Sequence, residues 1–208
     1  EAALPLGNKN NWGVLETMTI GFGYGFAVTP LHLANAYASL VNDGYKTNPT
    51  LLKSIAYYND TKIVKKSTSS YFIKLLRAVV LETNYTGPKV KIEGYEIGGK
   101  TGTVELRNEY GQYQNDVNMT SFIGVFPVSN PKYVVLAMIE NPKKIIEENY
   151  SITGATVAAP LVKNIILRMI EILGISIPNS SEILKADTSN KYQTISNATF
   201  WNTYIYWL

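Results

Sequence analysis

Two apolar runs separated by four turn residues constrain this chain more than any other feature. Ser121 to Val128 and Tyr133 to Ile139 are rich in Val, Ile and Phe, and Ser129-Asn130-Pro131-Lys132 between them reads as a turn. Strands this apolar must be covered, and three stretches have the helical spacing to do it. In the first, Thr29 suits the N-cap and Pro30 the first helical position, where its missing N–H costs nothing. Leu31, Ala34, Tyr37, Ala38 and Val41 follow, and Asn42-Asp43-Gly44 stops the run. In the second, Ser69 or Ser70 can cap a helix carrying Tyr71, Phe72, Leu75, Leu76, Val79 and Val80 and ending near Thr83. The third runs from Gly154 to Leu173 with Val157, Leu161, Ile165 and Met169 on one side and Gly174 at the C-terminal cap.

Between these, Leu51 to Tyr58 and Thr61 to Val64 predict a small hairpin turned at Asn59-Asp60. Gly87-Pro88 reads as polar loop, Glu1 to Gly13 as loop, and Gly98 to Val104 as a strand with glycines in it. The order is helix, hairpin, helix, three strands, helix. It predicts an α+β fold, an antiparallel sheet with packed helices. After Pro178 the chain turns polar and ends in the aromatic run Phe200-Trp201-Asn202-Thr203-Tyr204-Ile205-Tyr206-Trp207-Leu208. That end is too short to span a bilayer; an added strand, an interfacial anchor and foreign sequence all fit it.

Composition removes much ordinary chemistry. Cysteine is absent, which excludes disulfide scaffolds, thiolate nucleophiles and cysteine-ligated metals. The single histidine, His32, excludes a multi-histidine metal centre and any Ser-His-Asp triad built elsewhere. His32 itself reads as an exposed helix residue rather than a catalytic base. With 19 Lys+Arg against 16 Asp+Glu, the chain has no electrostatic footprint for nucleic acid or an acidic membrane surface. Lys62, Lys65 and Lys66 read as a solvated face. No membrane span is present: no run of about 18 apolar residues occurs.

The residues that carry chemistry are Lys100-Thr101-Gly102-Thr103 on the glycine-bearing strand. A glycine inside a strand lets a ligand or another chain lie close against the backbone. Flanking hydroxyls can hold a carboxylate, and the Lys100 ammonium supplies fixed positive charge beside it. A strand-edge N–H at Thr103 can stabilise an oxyanion during acyl transfer. The set suits an enzyme that seats an extended peptide with a free carboxylate along a sheet edge.

With these residues the chain resembles the C-terminal part of a class B penicillin-binding protein transpeptidase domain, whose signature motifs include Lys-Thr-Gly. Several stretches match in order. Glu1 to Trp12 is similar to the segment leading to the active-site strand. Thr19 to Gly25 with Val28 to Ala38 resembles the glycine-tyrosine-glycine loop and the helix after it. Gly98 to Thr103 matches the third catalytic motif, Ser121 to Pro127 the next core strand, and Gly154 to Pro160 the start of the final helix. The likeness covers roughly Glu1 to Ile177, taken as the C-terminal portion of the transpeptidase domain, with residues 178–208 as a tail, disordered or foreign.

The resemblance implies a partial penicillin-binding/serine β-lactamase-like fold and a role for each motif residue. Lys100 would set the electrostatics around a nucleophilic serine and its base. Thr101 and Thr103 would hold the carboxylate of the peptide stem or of a β-lactam, and Gly102 would allow close approach. The Thr103 N–H would form half of the oxyanion hole. No cofactor is implied. Expected partners are the peptidoglycan stem peptide, β-lactams and the cell-wall synthesis machinery. The expected location is the extracytoplasmic face of the bacterial inner membrane, within a membrane-anchored parent. A serine β-lactamase, a β-lactam sensor, or a non-catalytic interaction module of the same fold are the alternatives.

The family also needs a Ser-x-x-Lys, which brings amine and hydroxyl together across one helical turn, and a Ser-x-Asn. Ser-x-Asn does not occur in these residues. Ser-x-x-Lys occurs once, at Ser129 to Lys132, in the inter-strand turn and after the Lys-Thr-Gly motif rather than before it. Ser129 is therefore a decoy. The expectation is a piece of a larger transpeptidase, inert without the serine.

Overall fold

The computed structural model describes residues 13–21, 23–51, 60–110, 112–143, 151–176 and 203–207. Helix α1 (Val14–Gly21), which periodicity does not announce, buries none of its residues. Helix α2 (Pro30–Val41) begins as its sequence predicts: the Thr29 hydroxyl accepts the His32 N–H at 3.2 Å, and Pro30 occupies the first turn. It ends where Asp43 and Gly44 take positive φ, 53° and 82°. At Gly44 a side chain is doubly excluded, because a β-carbon there would lie 2.3 Å from the Val64 carbonyl oxygen. That close approach lets Gly44 accept the Ile63 N–H at 2.9 Å beside the Tyr45–Lys62 bridge. The first arm of the hairpin expected over 51–64 lies outside the described residues, apart from Leu51.

Helix α3 (Lys66–Leu81) starts one turn before the predicted serine caps. Its N-cap is Lys65, with no side-chain hydrogen bond, and Ser69 already donates its N–H to the Lys65 carbonyl at 3.0 Å. Ser69 is fully buried, so packing overrode a capping preference worth only about 1 kcal/mol. At the same end Lys66 pairs with Asp43 at 2.8 Å, and the carboxylate raises the exposed lysine's pKa. The polar loop expected at Gly87-Pro88 is instead a single turn, α4 (Gly87–Val90), which buries Val90.

Strands β1 (Gly98–Arg107), β2 (Tyr113–Phe126) and β3 (Tyr133–Glu140) pair antiparallel in that order. The beginning of β2 is mostly polar, with Tyr113, Val117 and Met119 among Gln, Asn, Asp and Thr, so the apolar run marks only its second half. Pairing of Val104 to Arg107 with that polar half, through an irregularity between Glu105 and Arg107, extends the strand. The backbone of β4 (Thr203–Trp207) adds a fourth antiparallel strand against β3.

Because side chains alternate, cross-strand partners share a face. Phe122, Phe126, Val135, Ala137 and Ile139 look one way, into a cluster with Val162 and Ile166. Ile123, Val125, Val134 and Leu136 look the other, against Ala34 and Val41 of α2 and Leu76 of α3. Both faces are covered, which is why the run is almost continuously apolar.

The final helix opens as a π-helical turn (Gly154–Ala158) and continues as α5 (Ala159–Leu173). Thr153 and Thr156 cap it reciprocally: the Thr153 hydroxyl accepts the Thr156 N–H and the Thr156 hydroxyl accepts the Thr153 N–H. Ala158, Ala159, Leu161, Val162 and Ile166 are buried, so Leu161 of the predicted stripe enters the core while Val157, Ile165 and Met169 lie half-buried against it. Gly174 ends it in the left-handed region at φ 61° as expected.

Tyr37 of α2 packs edge-on against Phe72 of α3 with ring centroids 5.3 Å apart, and burial raises its phenol pKa. Folding therefore favours the protonated phenol. Its stability contribution is full below the unfolded value of about 10 and is lost as pH rises through the higher folded value. Tyr37→Phe, which cannot ionise, should lose melting temperature more slowly than the wild type between about pH 9.5 and 11. Parallel declines in the two proteins would refute this.

Candidate active site

Strand β1 lies at one end of the sheet. It pairs with β2 on one side, Lys100 opposite Ile123, Thr101 opposite Phe122, Gly102 opposite Ser121 and Thr103 opposite Thr120. Among the described residues no strand pairs with its other side. Among the described strands, the motif thus lies on the outer border of the sheet.

Alternation divides the four residues between two faces. Lys100 and Gly102 look towards α2 and α3; Thr101 and Thr103 look towards the final helix. The Lys100 side chain is exposed and donates from Nζ to the Thr101 carbonyl at 2.7 Å. No carboxylate pairs with it among the described residues. Beside it runs a groove of about 630 Å³ lined by Tyr37, Phe72, Leu75, Leu76, Val79 and Lys100. The groove is mostly apolar, with Lys100, Glu82 and Thr83 as its polar lining.

Gly102 makes room on the same face: a β-carbon there would lie 2.4 Å from the Ser121 hydroxyl oxygen. Thr101 is half-buried and Thr103 exposed. Thr101 and Thr103, two residues apart, send their backbone N–H and C=O groups to the same side of the strand. The Thr103 hydroxyl oxygen accepts the Gly154 N–H at 3.0 Å, a contact across 51 residues that no local pattern in the sequence signals.

The strand is aimed by its surroundings. At Gly98 a β-carbon would lie 3.1 Å from backbone atoms of Leu76 and Arg77, so α3 rests directly on the approach to Lys100. Arg77 Nη2 donates to Glu96 Oε1 at 2.7 Å, and the Glu96 carbonyl accepts the Val128 N–H at 2.9 Å. These bonds tie helix, strand entrance and turn together just ahead of the motif.

Ser129 and His32 both lie outside the motif strand. Ser129 is exposed in the bend between β2 and β3, with no helix to set it against Lys132. His32 is exposed on α2, its Nδ1 2.9 Å from the Thr29 hydroxyl. Among the described residues no group of acidic or histidine side chains could hold a metal ion. No described helix is long and apolar enough to cross a membrane.

Residues 6–167 match the penicillin binding protein transpeptidase domain. The chain belongs to that family. It is 34% identical over 181 residues to a peptidoglycan D,D-transpeptidase FtsI homolog of Mesostigma viride, covering 76% of this chain and 29% of the relative. Stage V sporulation protein D of Bacillus subtilis is 34% identical over 195 residues, 88% of this chain and 29% of that protein. A probable peptidoglycan D,D-transpeptidase PenA of Neisseria meningitidis is 32% identical, with 85% and 29% covered. The chain thus spans under a third of the length of these relatives.

Solved structures agree with the α+β reading. The transpeptidase domain of Burkholderia pseudomallei penicillin-binding protein 3 superposes with a TM-score of 0.70 at 25% identity, covering 81% of this chain and 49% of that one. Penicillin-binding protein 3 of Mycobacterium tuberculosis complexed with ampicillin gives 0.70 at 27% identity, with 86% and 42% covered.

Proposed function

We propose that this chain supplies the substrate-binding strand of a peptidoglycan D,D-transpeptidase whose serine lies outside these 208 residues. The observation that carries the reading is the Lys-Thr-Gly-Thr motif on a sheet border that no described strand covers, in a chain belonging to the transpeptidase family. An extended stem peptide ending in D-alanyl-D-alanine would lie along that border, Thr101 and Thr103 holding its carboxylate. Gly102 would let it approach the backbone.

The serine, supplied on the Lys100 side, would attack the penultimate D-alanine carbonyl, and the Thr103 N–H would steady the oxyanion. The C–N bond to the terminal D-alanine breaks and that residue leaves with a proton. An amine of a neighbouring stem then takes the acyl group and regenerates the serine hydroxyl. Lys100, fixed beside the groove, would favour the deprotonated oxygen at both steps. β-Lactams would be seated by the same residues, at the extracytoplasmic face of the inner membrane and within the cell-wall synthesis machinery.

A fluorescent penicillin tests this. The 208-residue chain should take up no covalent label, whereas a longer protein carrying this chain after a Ser-x-x-Lys should take up label stoichiometrically. Label on the isolated chain would overturn the account of the missing nucleophile. Failure of the longer protein to label would return the strand to a binding or structural role.

A further inference from the structure

We propose that Gly154 is a positioning residue for the carboxylate subsite, holding the Thr103 hydroxyl so that its proton faces the ligand. The inference rests on the transpeptidase reading and extends it to a residue that touches no substrate.

A threonine hydroxyl has one proton to give and two lone pairs to accept with. Donation by the Gly154 N–H at 3.0 Å occupies an acceptor position, and no described group takes the Thr103 proton. The hydroxyl is thereby presented as a donor. An oxygen that accepts one hydrogen bond also donates the next more strongly. The partner this favours has acceptors only, as a carboxylate does.

Only glycine permits the contact. A β-carbon on residue 154 would lie 2.3 Å from the Ser121 carbonyl oxygen, 2.7 Å from the Gly102 carbonyl oxygen and 3.0 Å from the Gly102 nitrogen. All three are backbone atoms of paired strands, so none can swing aside. The first residue of the final helix therefore lies flat on the motif at Gly102. Its position is set from behind by the Thr153–Thr156 capping box and by Val162 and Ile166 in the core. A rigid helix thus fixes the orientation of one exposed hydroxyl.

The test uses the ¹⁵N-labelled full chain titrated with N-acetyl-D-alanyl-D-alanine and with the C-terminal amide of the same dipeptide. The wild type should bind the acid more tightly, with shifts at the Thr103 and Gly154 amides. Gly154→Ala should weaken acid binding by about tenfold or more and leave the amide form unaffected, because only the charge-assisted bond is lost. Thr103→Val should do the same, and Thr103→Ser, which restores the oxygen, should recover the preference. A folded Gly154→Ala variant with undiminished preference for the acid would overturn the inference and leave the wider reading standing. No preference in the wild type would instead overturn the carboxylate reading itself.

A ligand-free measurement separates the two, and it does not require Gly154→Ala to fold. Hydrogen exchange at the Gly154 amide should speed up by about tenfold in Thr103→Val relative to wild type and Thr103→Ser. Unchanged exchange would show that Thr103 does not hold that amide.

Discussion

Replacing Phe122 by alanine is expected to destabilise this chain by about 3–5 kcal/mol. The ring is fully buried at the centre of β2, on the face that meets Val162 and Ile166. Its neighbours leave it irreplaceable space. A β-carbon added at Gly99 would lie 2.4 Å from its Cζ, and one added at Gly124 would lie 3.6 Å from its Cε1. Two glycines flanking one aromatic ring mean that the ring itself fills the volume their side chains would have used. Truncation leaves a cavity that backbone cannot collapse into, since both glycines sit in ladder-paired strands. A Phe→Ala change of this kind costs about 3–5 kcal/mol, against a total of about 5–15 kcal/mol for a typical domain. Urea unfolding should show a midpoint well below the wild-type value. A midpoint within experimental error of wild type would mean that the ring is not the keystone of this face.

The second large effect is the reverse of the first. Gly99→Val should destabilise the chain by about 3 kcal/mol through overpacking. The added β-carbon would meet the Phe122 ring, which can tilt, and the Ile123 carbonyl oxygen at 2.6 Å, which cannot. To admit it, β1 must lift from β2 immediately before Lys100. Denaturant unfolding of Gly99→Val in wild-type and Phe122→Leu backgrounds separates the contributions. The cost should shrink in the second background and still persist, because the carbonyl remains. A cost that vanished altogether would show that only the ring opposes a side chain at residue 99.

The two variants bracket what could be read in advance. The glycine pair before Lys100 signals a close approach, but the sequence does not say to what. It is Phe122, far along the chain, and the backbone of α3 that occupy the space. The serine caps proposed for α3 failed for a related reason. A cap is worth about 1 kcal/mol, and the apolar packing of α3 through Leu76 and Val80 outweighed it even though it buries the Ser69 hydroxyl without a described hydrogen-bond partner. The first half of β2 lacks an apolar run because most of its residues are polar, and its strand state comes with pairing to the end of β1.

What the residues alone determined are the elements whose causes are local. These are the Thr29–Pro30 start of α2, the left-handed glycine that closes α5, the apolar strands β2 and β3, and a Lys-Thr-Gly-Thr string with the right chemistry for a carboxylate. Only tertiary structure decided that no described strand covers the outer border of this string and which packed layer each of its two faces meets. The amide reaching the Thr103 hydroxyl from residue 154 was likewise beyond local reading. Capping and periodicity act within a turn or two of helix, whereas edge position and cross-sheet contacts depend on segments distant in the chain competing for the same space.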